Sequence, residues 1–333
     1  MKRIAINGLG RVGRLLLRRY IEHNYKEFAI VAVNDPMPTD TLAYLMKYDS
    51  VHGRADFSIT AEDNLLGVDH FELKRFSETD PERLPWEELE IDVVIECSGR
   101  FCSYSGSSKH ISAGATRVLI GAPYAEADIT LVLGVNDRHF DPEKHFIVSN
   151  ASCTTNSLAP PLKVLDSAFG VERALVTTVH SYTSSQTLVD TPANKKHRGR
   201  SGAINIIPTS TGADAATALV LPQLEGRLSA VALRVPVADG ALTDISAELD
   251  MFAKVEDINE AFRQAAAGSL SGILAYSDEE LVSSDILGDS HSAIIHGLST
   301  RVIDGTLVKV QAWYDNEYGY ACRCLDVIEQ LPI

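Results

Sequence analysis

Ile6-Asn7-Gly8-Leu9-Gly10-Arg11-Val12-Gly13-Arg14 is the stretch on which the fold turns. Gly8, Gly10 and Gly13 have the G-x-G-x-x-G spacing. Lys2 to Ile6 before them reads as a short strand, and Leu15, Leu16, Leu17 and Ile21 after them form the apolar stripe of a helix to about Glu22. A second strand, Ala29 to Val33, ends at Asn34-Asp35. Strand, glycine turn, helix, strand and terminal acid in that order make a dinucleotide-binding unit. Glycine lets the backbone approach a pyrophosphate at the helix N-terminus, and Asp35 can accept hydrogen bonds from a ribose diol. A carboxylate there repels a 2′-phosphate, and Pro36 to Leu42 holds no arginine to offset it, so NAD is expected rather than NADP.

Outward from this unit, Tyr44 to Pro85 is polar and broken and reads as irregular strands and loops. Regular signals resume with strands at Ile91 to Glu96, Arg117 to Ile120 and Ile129 to Leu133 and a helix at Ser107 to Ala113, after which Phe146-Ile147-Val148 leads into Ser149. Ligands bind at the strand ends of a parallel sheet, so Ser98-Gly99 and Gly121-Ala122 are expected along the cofactor crevice. The second half changes texture. Strands Ala174 to His180, Leu228 to Pro236 and Thr243 to Leu249, the helix Val255 to Ala267, a polar aromatic turn at Tyr314 to Tyr318 and a helix at Arg323 to Leu331 suggest an α+β arrangement. The fold class expected is α/β: a doubly wound dinucleotide-binding sheet plus an α+β catalytic domain with a mixed or antiparallel sheet.

A chain of 333 residues has room for two cores, and its 45% apolar and 23% charged residues are those of an ordinary globular protein. The formal net charge of −15 argues against nucleic acid and anionic membrane surfaces as partners. No apolar run reaches the length of a membrane span, and the N-terminus reads as a strand rather than a signal peptide. Five cysteines without framework spacing suggest a reducing, cytoplasmic setting. Cys322-Arg323-Cys324 lacks the spacer and second pair of a zinc knuckle, so no metal site is expected.

The chemistry is concentrated in Ser149-Asn150-Ala151-Ser152-Cys153-Thr154-Thr155-Asn156, followed by Leu158, Leu162, Leu165 and Phe169 at helical spacing. This puts Cys153 at a helix N-terminus, where the dipole is expected to lower the thiol pKa. His180 ends a β-branched strand in the same half, and the two together suit an activated nucleophile. A thiolate beside a nicotinamide attacks an aldehyde, and the hemithioacetal then gives up hydride to become a thioester. Thr183, Arg198, Thr211, Gly212 and Arg234 are donors suited to one or two phosphate groups in an otherwise acidic chain.

The block around Cys153, the glycine stretch, Asn34-Asp35 and Trp313-Tyr314-Asp315-Asn316-Glu317-Tyr318-Gly319-Tyr320 together resemble the phosphorylating glyceraldehyde-3-phosphate dehydrogenase family, nearly end to end. The resemblance implies Cys153 as nucleophile and His180 as base. It gives Ser152, Thr154, Thr211 and Gly212 to the attacking inorganic phosphate, Thr183 and Arg234 to the phosphate of the aldehyde, and Arg198 to both. Asn316 would fix the nicotinamide amide, with Arg11, Val12 and Asp35 gripping the rest of NAD. It further implies a homotetramer in which Tyr182 to about Arg200 reaches a neighbouring subunit's cofactor site. The C-terminal helix would return to the cofactor domain, giving domains 1–150 plus 317–333 and 151–316.

The chain departs from the family pattern at several positions. Ser157 stands where a second cysteine is common, Ser185 where an acid usually follows Thr183, Gly121 where a serine is common, and Thr79 where an arginine usually precedes Asp80-Pro81. Thr191 precedes Pro192 where leucine or glycine is frequent, and Val237-Ala238-Asp239-Gly240 is an unusual continuation. Two other readings stand beside the main one: an erythrose-4-phosphate dehydrogenase, against which Tyr182-Thr183 argues, and a non-catalytic NAD-binding regulatory protein, against which the intact Cys153, His180 and arginines argue.

Overall fold

The computed structural model describes residues 1–23, 25–62, 64–330 and 332. They divide into two compact units: Met1–Leu131 with Arg138–Ala151 and Ala321–Ile333, and Val132–Asp137 with Ser152–Tyr320. Against the expected boundaries, Val132–Asp137 goes to the second unit and the C-terminal division falls after Tyr320. Leu331, at the end of the expected last helix, lies outside the described residues.

The first unit is built on a nine-stranded sheet. Ile129–Thr130, Ile147–Ser149, Arg117–Ile120, Val93–Glu96, Lys2–Asn7, Phe28–Asn34 and Phe71–Phe76 lie side by side and parallel. Leu65–Val68 and Ile59–Glu62 extend the edge antiparallel. The central strands are apolar in consecutive residues, as a sheet covered on both faces requires: Ile4, Ala5, Ile6, Val93, Val94 and Ile95 are at most 1% exposed. The chain leaves Lys2–Asn7 toward one edge by way of Phe28–Asn34 and later returns to its other side as Val93–Glu96. That reversal is the switch point at which doubly wound sheets open a crevice. Leu15, Leu16 and Leu17 of the helix Arg11–Glu22 are buried, as are Cys324, Leu325, Val327 and Ile328 of the last helix, where Asn150 Nδ2 donates to Cys324 Sγ at 3.3 Å.

Two expectations change here. Tyr44 to Pro85 is more regular than it read, with a helix at Thr39–Lys47 running into it and the antiparallel strands Ile59–Glu62, Leu65–Val68 and Phe71–Phe76 following. Ile129 to Leu133 is strand only at Ile129–Thr130.

The second unit carries a mixed eight-stranded sheet. Its order is Ile207–Ser210, Leu228–Val235, Val171–Ser181, Ala241–Leu249, Leu307–Tyr314, Ala293–His296 and Leu274–Ser277, with Arg301–Ile303 also paired to Leu307–Tyr314. Val171–Ser181 runs parallel to Leu228–Val235 and antiparallel to Ala241–Leu249. Residues alternate in burial along Ala241–Leu249, so one face is dry. The helix Cys153–Phe169 packs against this sheet with Leu158, Leu162 and Leu165 fully buried, each contributing about 1.5–3 kcal/mol. Tyr314, expected in a turn, instead ends the strand Leu307–Tyr314 and is 1% exposed, and Tyr318 opens the last helix. Among the described residues no helix is long and apolar enough to cross a membrane.

Candidate active site

In the first unit the glycine turn and the strand ends line a cleft of about 260 Å³. Gly8 has φ +95°, and a Cβ there would stand 2.4 Å from Cα of Ser98; a Cβ at Gly13 would stand 2.1 Å from the Gly8 carbonyl oxygen. Only glycine permits both approaches. A Cβ at Gly10, by contrast, would meet nothing within 4 Å, and this residue caps the helix Arg11–Glu22 without a side-chain hydrogen bond. No capping side chain therefore stands over this helix N-terminus.

Asp35 borders the same cleft, where Leu9 N donates to Oδ2 at 2.7 Å and Met37 N to Oδ1 at 2.8 Å. These bonds fix the carboxylate and leave lone pairs for a diol. Ser98 also lines the cleft. Gly121 does not; a Cβ there would lie 3.0 Å from Cys97 Sγ. Arg11 pairs with Asp49, and Val12 is half-buried beside it. A helix start with no capping side chain, a close-packed glycine turn and a fixed acid fit a dinucleotide.

Beneath the cleft lies a buried polar network that pattern reading did not find. Trp86 Nε1 donates to His110 Nδ1 at 3.0 Å, so His110 Nε2 carries the proton and donates to Glu96 Oε2 at 3.2 Å. Glu96 also accepts from Asn7 Nδ2 and from both the N–H and the hydroxyl of Ser98, while Asn34 Nδ2 donates to Asn7 Oδ1 at 2.7 Å. Asn7, Asn34 and Glu96 each close a strand of one parallel sheet, and that shared position was the available signal.

In the second unit Cys153 opens the helix Cys153–Phe169, as expected. Ser152 caps it, its Oγ accepting from Thr155 N at 3.0 Å, an interaction of about 1 kcal/mol. Ala151, just before the cap, has φ +54°. His180 and Arg234 are register partners on parallel strands, which brings their side chains together. Cys153 Sγ lies 3.5 Å from His180 Nε2. His180 Nδ1 lies 2.8 Å from the Ser181 carbonyl oxygen and 2.7 Å from Arg234 Nη1, which donates to that carbonyl at 2.8 Å. Nδ1 faces one acceptor, the Ser181 carbonyl, and one donor, Arg234 Nη1; in the tautomer that gives its proton to Ser181, Nε2 is bare and can accept the thiol proton. Arg234 Nε is buried with no hydrogen-bond partner among the described residues, which leaves a donor for an anion.

Burial, and then the Arg234 cation, pushes the His180 imidazole down to about 4. Burial pushes the Cys153 thiol up to about 11, against the pull of Arg234 and hydrogen bonds from Thr154. The resting pair is therefore thiol and neutral imidazole. The expected lowering of the thiol pKa is overturned, because desolvation outweighs a helix terminus that Ser152 already caps.

Tyr314 is the residue that sequence reasoning misplaced. Its OH lies 3.1 Å from Thr154 Oγ1 and 2.9 Å from Thr178 Oγ1, and its ring stands edge-on to His180 at 6.0 Å between centroids. Thr178 shares a strand face with His180 two residues on, a spacing that was readable. Ser181 Oγ donates to Asn316 Oδ1 at 2.8 Å, which leaves the Asn316 Nδ2 as donor. The other expected phosphate ligands bond elsewhere. Arg198 Nε donates to Thr209 Oγ1 at 2.9 Å, Thr183 Oγ1 meets Ser185 Oγ at 2.9 Å, and Thr211 Oγ1 accepts from Ala213 N at 3.2 Å. Gly212 caps the helix Ala213–Val220 with open space where a Cβ would be. Ser157 Oγ lies 2.6 Å from Thr243 Oγ1, in the buried layer under the helix.

Residues 2–104 match the glyceraldehyde 3-phosphate dehydrogenase NAD binding domain, and residues 152–316 match the C-terminal domain of the same family. The glyceraldehyde-3-phosphate dehydrogenase of Geobacillus stearothermophilus is 48% identical over 325 residues, 98% of this chain and 96% of its own. Glyceraldehyde-3-phosphate dehydrogenase 1 of Bacillus cereus is 48% identical over 327 residues, covering 98% and 97%. The Thermotoga maritima enzyme is 47% identical over 331 residues, 99% of both chains. With the glycine cleft inside one matched domain, the thiol and imidazole inside the other, and relatives aligned along almost every residue, the chain belongs to the glyceraldehyde-3-phosphate dehydrogenase family.

Proposed function

We propose that the protein oxidises glyceraldehyde 3-phosphate with NAD and inorganic phosphate to 1,3-bisphosphoglycerate, through a hemithioacetal and then a thioacyl group on Cys153. The observation that carries this reading is the 3.5 Å approach of Cys153 Sγ to His180 Nε2 beside the half-buried Arg234. His180, neutral at rest, takes the thiol proton as the sulfur attacks the aldehyde carbon. Arg234 disfavours the imidazolium so formed, which passes the proton to the carbonyl oxygen as it becomes the hemithioacetal hydroxyl; His180 takes that proton back as the carbon gives up hydride. NAD, when bound, supplies the acceptor for the hydride that the hemithioacetal carbon gives up in becoming a thioester. Phosphate then attacks the thioester carbonyl, and the departing sulfur regains its proton from His180.

Ser152, Thr154, Thr211 and Gly212 are assigned to the attacking phosphate, Thr183 and Arg234 to the phosphate of the aldehyde, and Arg198 to both. The unpartnered Arg234 Nε and the open N-terminus at Gly212 support that assignment. Asn316, with Nδ2 free to donate, is assigned to the nicotinamide amide, and Gly8, Gly10, Arg11, Val12, Asp35 and Ser98 to the rest of NAD. Exposed Leu188, Val189, Ile204 and Ile206 in and just beyond the segment after His180 support a homotetramer. Five cysteines without disulfide-framework spacing support a cytoplasmic setting.

Purified protein is expected to form NADH continuously from glyceraldehyde 3-phosphate only when inorganic phosphate is present. Sustained turnover without phosphate contradicts the proposal. Tyr182-Thr183 favours this aldehyde over erythrose 4-phosphate, for which a lower kcat/KM is expected.

A further inference from the structure

Three hydroxyls in the second unit form a chain that ends beside the nucleophile. Tyr314 OH bridges Thr178 Oγ1 on the strand Val171–Ser181 and Thr154 Oγ1 on the helix Cys153–Phe169. Thr178 and Tyr314 are 1% exposed, so water does not complete their hydrogen bonding, whereas Thr154, at 6%, is the most exposed of the three. Each hydroxyl has one proton to give. Thr178 Oγ1 has a single partner among the described residues, the tyrosine OH. Were Tyr314 to donate to Thr178, the Thr178 proton would be buried without an acceptor, an arrangement that folded proteins avoid. All three are satisfied in one direction only: Thr178 donates to Tyr314, Tyr314 donates to Thr154, and the Thr154 proton leaves the chain. Thr154 follows Cys153 directly, and its hydroxyl is among the groups that counter burial at the Cys153 sulfur.

We infer that Tyr314 is a positioning residue that orients the Thr154 hydroxyl as a donor to the phosphate that attacks at Cys153. The inference rests on the thioacyl reading of Cys153 proposed above. It goes beyond that reading in giving the buried tyrosine a role of its own. Without the tyrosine OH, the Thr154 hydroxyl is free to turn and present a lone pair to a negatively charged group.

Tyr314→Phe keeps the ring against His180 and removes only the hydroxyl. The phosphate KM is expected to rise about 5-fold, the worth of one oriented hydrogen bond, while the NADH burst measured without phosphate slows by no more than about twofold. In a Thr154→Val background the same change should add no further rise, because the group it orients is gone. A phosphate KM equal to that of the wild type, or an equal rise in both backgrounds, overturns the inference. Thr178→Val tests the direction. A phosphate KM that stays level or rises agrees with donation toward Thr154; a fall overturns it, since that means the Thr154 proton had been held by the tyrosine. A wild-type enzyme with no burst at all defeats the thioacyl reading and the inference with it, whereas a normal burst with an unmoved phosphate KM in Tyr314→Phe defeats the inference alone.

Discussion

The two units shape their sites from different materials. In the first, backbone does it: Gly8 and Gly13 let chain segments touch where any Cβ would collide, and Gly10 puts no side chain over the helix N-terminus. In the second, side chains do it, brought together by sheet register. Cys153 and His180 are 27 residues apart, His180 and Arg234 are 54 apart, and Thr154 and Tyr314 are 160 apart. A backbone demand is local, so it leaves its mark within nine consecutive residues. A reactive cluster is spread over the sequence, and its parts are neighbours only once the strands have paired.

The comparison can be broken most sharply at the thiol. Cys153→Ser should lower kcat at least about 10³-fold, as loss of a nucleophile does, with NAD affinity by equilibrium titration within about twofold of wild type. Parallel loss of NAD binding would show that the two sites are not separable. From the other side, Gly8→Ala forces a side chain into φ +95° and 2.4 Å from Ser98 Cα. It is expected to remove about 2–4 kcal/mol of unfolding free energy in denaturant titration and to weaken NAD. A wild-type melting curve and NAD affinity would refute the claim that backbone sets this cleft.

The smallest effect sharpens the electrostatics of the second site. Because burial and Arg234 hold His180 down to about 4, the acid limb of the NADH burst should lie below the ordinary histidine pKa of about 6.5. Arg234→Met removes the second of these causes, and the limb should move up by about one pH unit or less in stopped-flow profiles; a limb that stays put removes Arg234 from the account. The depressed imidazole also has a stability sign. Its contribution is complete above about pH 6.5 and is lost as pH falls through about 4, because the unfolded chain takes up the proton first.

Legibility followed the same divide. The strand Arg117–Ile120 and the helix Val255–Ala267 are found with the bounds expected from sequence, since each is a run whose own periodicity settles its form. Thr39–Lys47 escaped notice because only Leu42 and Met46 of its nine residues are buried, too few to mark a stripe. Ile129–Thr130 was overextended because Leu131, Val132 and Leu133 are buried without belonging to a strand. At the site, Cys153 and His180 stood out by residue type and by their places at element ends. Tyr314 did not, since an aromatic amid Asp315, Asn316 and Glu317 looks like a turn until its strand is paired with Ala241–Leu249. The direction of the thiol shift was misjudged for a related reason: a helix terminus can be read from sequence, whereas desolvation depends on everything packed around it.

Ala151 carries a consequence of its own. A methyl-bearing residue held at φ +54° stores about 1 kcal/mol of conformational strain immediately ahead of the cap that aims Cys153. Glycine there would relax the chain and also widen the headings open to the next two residues, so heat tolerance and uniformity of the thiol's aim would move in opposite directions. The position, itself fully buried, is thus a tuning point for the nucleophile, and an engineer could trade durability against reactivity there without altering any reacting atom.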